Sequence, residues 1–139
     1  PAAYHELLCR CRRLGWPVLT VESDTGTDIG ALAARALAGL REAGGSAVVA
    51  PSKLMASGAK ILLALAEIAA AVMAAGQVRR LLVEGGATAA AIVARAGFGR
   101  LDVVCEVAPG VVTLRPESRP MVRLTLKPGS YPWPDGTLL

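Results

Sequence analysis

Aromatic side chains are scarce in this chain. They make up 4% of 139 residues, with one Phe, two Trp and two Tyr. Any core must therefore be built mainly from Ala, Leu and Val, and the chain lacks the stacking rings that single-stranded nucleic-acid binders use. It has one histidine and three cysteines, Cys9, Cys11 and Cys105. An odd number with no framework spacing excludes a disulfide scaffold and fits a reducing, cytoplasmic setting. Long apolar runs are lacking too. The most apolar segment, Ile61 to Ala75, is fifteen residues and contains Glu67. That is too short for a confident membrane span and reads as a buried helix. No positively charged leader followed by an apolar core opens the chain, so no signal peptide is expected. Fifteen basic and eleven acidic residues give a net charge of +4. There is no basic run, so the balance suits a small anionic ligand or plain solvated charge better than nucleic acid.

What is present is enough for one domain: 53% hydrophobic residues in 139, without a dividing linker or internal repeat. Pro1 to Leu14 carries Leu7, Leu8, Cys11 and Leu14 at helical spacing, stopped by Gly15. Trp16 to Val21 reads as a strand with Pro17 at its entry. Asp28 can cap a helix running to about Ala43, with Leu32, Leu37 and Leu40 on its apolar side and Gly44-Gly45 as its stop. Ala47 to Ala50 is a short strand closed by Pro51. A helix follows from about Ser57 to Ala75, stopped by Gly76. Then come an Arg80 to Val83 strand and a Thr88 to Ala96 helix ended by Gly97 and Gly99. Leu101 to Val107, Val111 to Leu114 and Met121 to Leu126 read as closely spaced strands, followed by a Pro- and Gly-rich tail. Alternating strands and helices imply βαβ units, and the last strands read as antiparallel additions. The expected fold is α/β: a three-layer αβα sandwich with a mixed, mainly parallel sheet.

The stretch Leu81-Leu82-Val83-Glu84-Gly85-Gly86-Ala87-Thr88-Ala89 carries the most functional information. An apolar strand stops at two glycines and an alanine-rich helix begins at once. The unpaired N–H groups of a helix start, with the positive end of its dipole, favour an anion, and glycine lets a phosphate approach the backbone. Many strand-to-helix turns carry glycine only to make the turn, so the reading is open on local grounds. In parallel sheets ligands bind beyond the carboxyl ends of strands. Lys127-Pro128-Gly129-Ser130-Tyr131 also follows a strand, and Lys127 there is either a mobile cation for phosphate oxygens or a solvated strand-end lysine.

Other patterns point elsewhere. Asp24-Thr25-Gly26 spells the aspartic-protease triplet. Such proteases are all-β and need two triplets sharing a proton, so a loop with Asp28 as helix cap is preferred. Cys9 and Cys11, near His5, are two residues apart on a helix and point about 200° apart, so a zinc site is not expected. Trp133 between Pro132 and Pro134 either stacks on an adenine or, the preferred reading, packs on the domain surface. A Gly-x-Gly-x-x-Gly dinucleotide fingerprint is lacking. A non-catalytic αβα interaction domain with purely structural glycine turns is the alternative to a nucleotide-binding one.

The last sixty residues resemble the C-terminal, nucleotide-binding domain of the four-carbon acid sugar kinases, a family long known through type III effector-like proteins. Leu82-Val83-Glu84-Gly85-Gly86-Ala87-Thr88-Ala89 is similar to the family's Gly-Gly-acid-Thr-Ala turn. Glu106-Val107-Ala108-Pro109-Gly110-Val111 is similar to its Glu-x-x-Pro-Gly-Val segment, and Lys127-Pro128-Gly129-Ser130-Tyr131 to its Lys-x-Gly-x-Phe-Gly loop. The resemblance implies phosphoryl transfer from ATP, with Mg²⁺, to a threonate, erythronate or 3-oxo-tetronate type acid. It implies that Gly85, Gly86 and Thr88 line the phosphates, and that Gly129 with its neighbours Lys127 and Ser130 forms the other wall. Two segments depart from the pattern: Ala87 replaces the family's acid, and Tyr131-Pro132 replaces its Phe-Gly. The chain is expected to be one domain, residues 1–139, forming the C-terminal part of a two-domain kinase. The sugar-acid site and the catalytic base would lie in the N-terminal domain. A face left uncovered by that domain would favour self-association into a homo-oligomer. No nucleic-acid or membrane partner is expected.

Overall fold

The computed structural model of the chain describes residues 2–22, 26–42, 45–52, 58–75 and 78–138. Along the chain run α1 (Ala2–Arg13), β1 (Val18–Val21), α2 (Ile29–Glu42), β2 (Val48–Pro51), α3 (Gly58–Ala74), β3 (Arg80–Glu84), α4 (Gly86–Arg95), β4 (Leu101–Ala108), β5 (Val111–Pro116) and β6 (Arg123–Lys127). Every expected element is found. The helix stops expected at Gly44 and Gly76 and the helix start at Ser57 lie outside the described residues.

β1 begins two residues later than Trp16. Pro17 has no N–H to give the ladder, although its carbonyl accepts from the Val48 N–H at 2.9 Å. α2 begins where Asp28 allows it. The Asp28 carboxylate accepts from the Ala31 N–H at 2.9 Å, and the Asp28 carbonyl accepts the first helical bond from Leu32. Asp28→Ala is expected to lower stability by about 1 kcal/mol. Urea unfolding would test this, and an unchanged midpoint would show that the cap contributes nothing. Further along α2, Gly39 is required by space: a Cβ there would sit 2.4 Å from the Pro17 ring.

The α/β sandwich of parallel and antiparallel strands is the architecture found, with its strands divided between two hydrogen-bonded sheets. β1 and β2 form a parallel pair, and the second sheet has the order β3-β6-β5-β4. In that sheet β3 and β6 are parallel, while β6–β5 and β5–β4 are antiparallel. Parallel pairings are therefore no majority. β6 enters between β3 and the β4–β5 hairpin, and thereby joins the βαβ part to the meander.

Two apolar clusters share α3. Ala66 and Met73 pack with Val83, Ala89, Ile92, Phe98, Val122 and Leu124. Ile68 and Val72 pack with Leu19, Val21, Leu32, Ala33 and Ala36. A helix between two cores must be apolar on two sides, which explains the long run from Ile61. No helix among the described residues is long and apolar enough to cross a membrane. On the surface, Glu67 of α3 meets Arg95 of α4 at 2.6 Å, and that hydrogen bond holds the Glu67 carboxyl below its ordinary value. The Arg119 guanidinium donates to the Met73 carbonyl at 2.7 Å, satisfying an end carbonyl of α3.

α4 ends as expected at its glycines. Gly97 has a φ of 65°, and the Gly97 and Phe98 N–H groups donate back to Ala94 and Val93. Phe98, 1% exposed, then turns into the core.

The opposite face of the four-stranded sheet is polar. On β6, Leu124 and Leu126 belong to the core, so Arg123, Thr125 and Lys127 point the other way. Thr125 shares a 2.9 Å hydrogen bond with Thr113 on β5. Coil from the C-terminal tail lies over this face: Arg80 donates to the Thr137 carbonyl at 2.9 Å, and the Trp133 ring lies against Lys127. β4 is the outer strand, interrupted by two register shifts, with Val103, Val104 and Val107 exposed. Such bulges discourage edge-to-edge pairing.

Candidate functional site

Three glycine-bearing segments meet at one end of the four-stranded sheet. β3 and β6 run parallel, with Glu84 opposite Lys127, so both strands finish on the same side. β5 runs against β6, with Val112 opposite Leu126, which brings the β4–β5 turn to that side too. This Pro109-Gly110 turn is tied by the Gly110 N–H, which donates to the Glu106 carboxylate at 2.9 Å. Gly110 has a φ of 76°, and a Cβ on it would lie 3.3 Å from the Tyr131 ring. The hairpin tip thus packs against the 128–131 loop.

The turn between β3 and α4 starts earlier than the composition suggests. Gly85 is the cap, and α4 begins at Gly86, two residues before the start expected at Thr88. The chain must reverse at the strand end before the helix can begin. Gly85 does this at φ 93° and ψ 131°, a region that residues with a Cβ avoid. Its N–H donates to the Lys127 carbonyl at 2.8 Å, and its carbonyl accepts from Ala89 at 3.0 Å. The turn is therefore locked to β6. With no cap side chain, the N–H groups of Gly86, Ala87 and Thr88 have no acceptor among the described residues. Gly86 and Ala87 are exposed and Thr88 is half-buried. These N–H groups carry the positive end of the helix dipole.

Lys127 is the last residue of β6 and is 2% exposed. Its Nζ donates to the Pro128 carbonyl at 2.8 Å and to the Tyr131 carbonyl, lies 3.3 Å from Glu84 Oε2, and sits 5.6 Å from the centre of the Trp133 ring. It is neither a solvated nor a mobile cation. β-alternation turned it inward together with Arg123 and Thr125, under the tail. Beyond it, Gly129 and Ser130 are exposed. Their N–H groups also lack acceptors among the described residues, while Tyr131 N–H closes a turn onto Pro128 at 3.1 Å.

Two residues at this end were not singled out from the sequence. Glu84 supplies the carboxylate beside Lys127. Tyr4 of α1 donates its hydroxyl to the Pro51 carbonyl at the end of β2. Burial, and then the nearby Glu84 charge, push the Tyr4 hydroxyl above its ordinary pKa. Tyr4 therefore stands near the carboxyl ends of both β2 and β3. Only the meeting of α1 with the two strand ends reveals it, because nothing in the local sequence does. Trp133 is half-buried against Lys127, as its packing reading expected. The Asp24-Thr25 part of the protease-like triplet lies outside the described residues. On α1, Cys9 is exposed and Cys11 buried, so the two thiols diverge. Burial pushes the Cys11 thiol up.

An α/β sandwich with glycine turns and unpaired N–H groups gathered at the carboxyl ends of two parallel strands has the form of a nucleotide-binding domain. The chain matches the family model of the nucleotide-binding C-terminal domain over residues 21–131 and belongs to that family. No curated protein gives a significant match. Solved structures share the fold, two of them at TM-scores of 0.73 or more. A Haemophilus influenzae protein, HI1011, of the DUF1537 family is 19% identical with a TM-score of 0.76 over 92% of this chain. A Salmonella typhimurium LT2 protein provisionally called a tRNA synthase is 16% identical with a TM-score of 0.73 over 93% of it. The chain spans 34% of the length of each.

Proposed function

We propose that this chain is the ATP-binding part of a kinase that phosphorylates a four-carbon sugar acid. The convergence of the Gly85 turn, the Pro109-Gly110 hairpin and the Lys127–Tyr131 loop carries the reading. These are the three segments on which the resemblance to the sugar-acid kinases rests, and they lie far apart in sequence. The likeness of the fold to a DUF1537 protein supports the same reading.

In this reading Gly86, Ala87 and Thr88 donate N–H bonds to phosphate oxygens from one side, and Gly129 and Ser130 do so from the other. Backbone donors held in place before the ligand arrives cost little reorganisation and stabilise charge on the transferred group. Thr88, the third residue of α4, adds a hydroxyl. At the family's acid position the turn offers Mg²⁺ no carboxylate, because Ala87 stands there, and Glu84 Oε2 is paired with Lys127 at 3.3 Å. The ion would be held by nucleotide phosphates, water and groups outside this chain. The acid substrate and the base that activates its hydroxyl belong to the rest of the enzyme, so the chain alone is expected to show little or no kinase activity.

A Mg-ATP titration followed by amide chemical shifts tests the site. Saturable shifts at Gly85, Gly86, Thr88, Gly129 and Ser130 are expected. Shifts centred elsewhere, or none at millimolar ATP, would refute the assignment. Sugar-acid-dependent ADP release by the full-length protein, absent from residues 1–139 alone, would identify the substrate class.

A further inference from the structure

We infer that Lys127 is a positioning residue that shapes the 128–131 loop from inside and makes no contact with phosphate. The inference rests on the nucleotide reading of that loop. A lysine ammonium has three hydrogens to donate. Here three oxygens surround it: the carbonyls of Pro128 and Tyr131 and the carboxylate of Glu84. The Trp133 ring flanks it, and 2% exposure leaves no path for a ligand oxygen. Reaching a phosphate would require the ammonium to leave one of these oxygens and give up a charge-assisted contact.

The geometry also states what the ammonium does. It draws two carbonyls of one tight turn inward. The intervening Gly129 and Ser130 stay exposed, with N–H groups lacking acceptors among the described residues. Glu84 balances the buried charge and links it to the strand that leads into Gly85. One ion pair, with its lysine buried and its glutamate half-buried, therefore sets both walls of the site, and the phosphate is met by backbone dipoles.

Two measurements on residues 1–139 test this. In free protein, Lys127→Met is expected to speed amide exchange at Tyr131 by roughly tenfold or more, because the charged hydrogen bonds that hold its turn are lost. Exchange in α4 should stay unchanged. In wild type titrated with Mg-ATP, the Lys127 ammonium signal is expected to stay in place while the Gly129 and Ser130 amides shift. Lys127→Arg is expected to bind Mg-ATP as weakly as Lys127→Met, because a forked guanidinium cannot take the place of a buried ammonium held by three oxygens, whereas a direct phosphate ligand would be partly replaced by arginine. Unchanged Tyr131 exchange in the Met variant would overturn the inference. So would an ammonium signal that moves with ATP, or rescue by arginine. If no amide responds to ATP, the nucleotide reading fails, and the exchange result in free protein still decides the role of Lys127 in the loop.

Discussion

Gly85→Val is expected to abolish saturable Mg-ATP binding, with a loss of affinity of at least about tenfold. Space is not the obstacle, since a Cβ at Gly85 would lie 3.6 Å from Thr88 Oγ1, an ordinary contact. The backbone is the obstacle. At φ 93° a branched side chain costs on the order of 1–3 kcal/mol, and relaxing that strain swings both peptide groups of the turn. One of these donates to Lys127 and the other accepts from Ala89, so relaxation unlocks the turn from β6 and displaces the N–H groups that follow. Gly86→Ala is the matched control. It has open space around it and no positive φ, so alanine there should leave stability unchanged or raise it slightly. If phosphate rests on the backbone at Gly86, the same variant weakens binding without loosening the fold. Calorimetric titration and thermal melting of both variants separate the two effects. Wild-type affinity in Gly85→Val would rule out this turn as the phosphate site.

Phe98→Ala should cost about 3–5 kcal/mol, out of a total stability that for domains of this kind is about 5–15 kcal/mol. Phe98 is the chain's single phenylalanine and heads the largest fully buried side chains. In a core otherwise made of Ala, Val, Leu, Ile and Met, its loss leaves a cavity that small neighbours cannot refill. It is also the residue just after the C-terminal turn of α4, so the same side chain fixes the exit of that helix. Urea unfolding with an unchanged slope and a greatly lowered midpoint is the expected result. A shift worth less than about 1 kcal/mol would show that this cluster does not hold the domain together.

Much of the fold and some of the site were legible because their signals are local. The glycine stops at Gly15, Gly45, Gly97 and Gly110 all coincide with positive φ, a requirement that one residue type meets cheaply. The Asp28 cap is equally local. At Gly85 the same logic was only half legible. Two adjacent glycines mark a turn, but which of them takes the unusual conformation depends on where β3 ends, and that is set by pairing with β6. Lys127 shows the limit more sharply. Spacing places it at a strand end near a crevice, which reads as a free cation. Its inward orientation follows from β6 having one apolar and one polar face, with Leu124 and Leu126 committed to the core. Its burial follows from where the tail lies. Tyr4 feels the Glu84 charge from the opposite half of the chain, a proximity that no window of sequence contains.

By itself the sequence determined the inventory of this protein: alternating helices and strands that end in three successive strands, their stops and caps, an aliphatic core, and three short glycine-bearing segments at strand ends. Those properties rest on backbone conformation and hydrophobic period, which neighbouring residues decide among themselves. Only the tertiary structure decided that β6 slots between β3 and β5, that the three segments therefore share one edge, and that the lysine among them is buried. These depend on which strand hydrogen-bonds to which and which face each strand buries, and the chain makes those choices only when distant residues close around a common core.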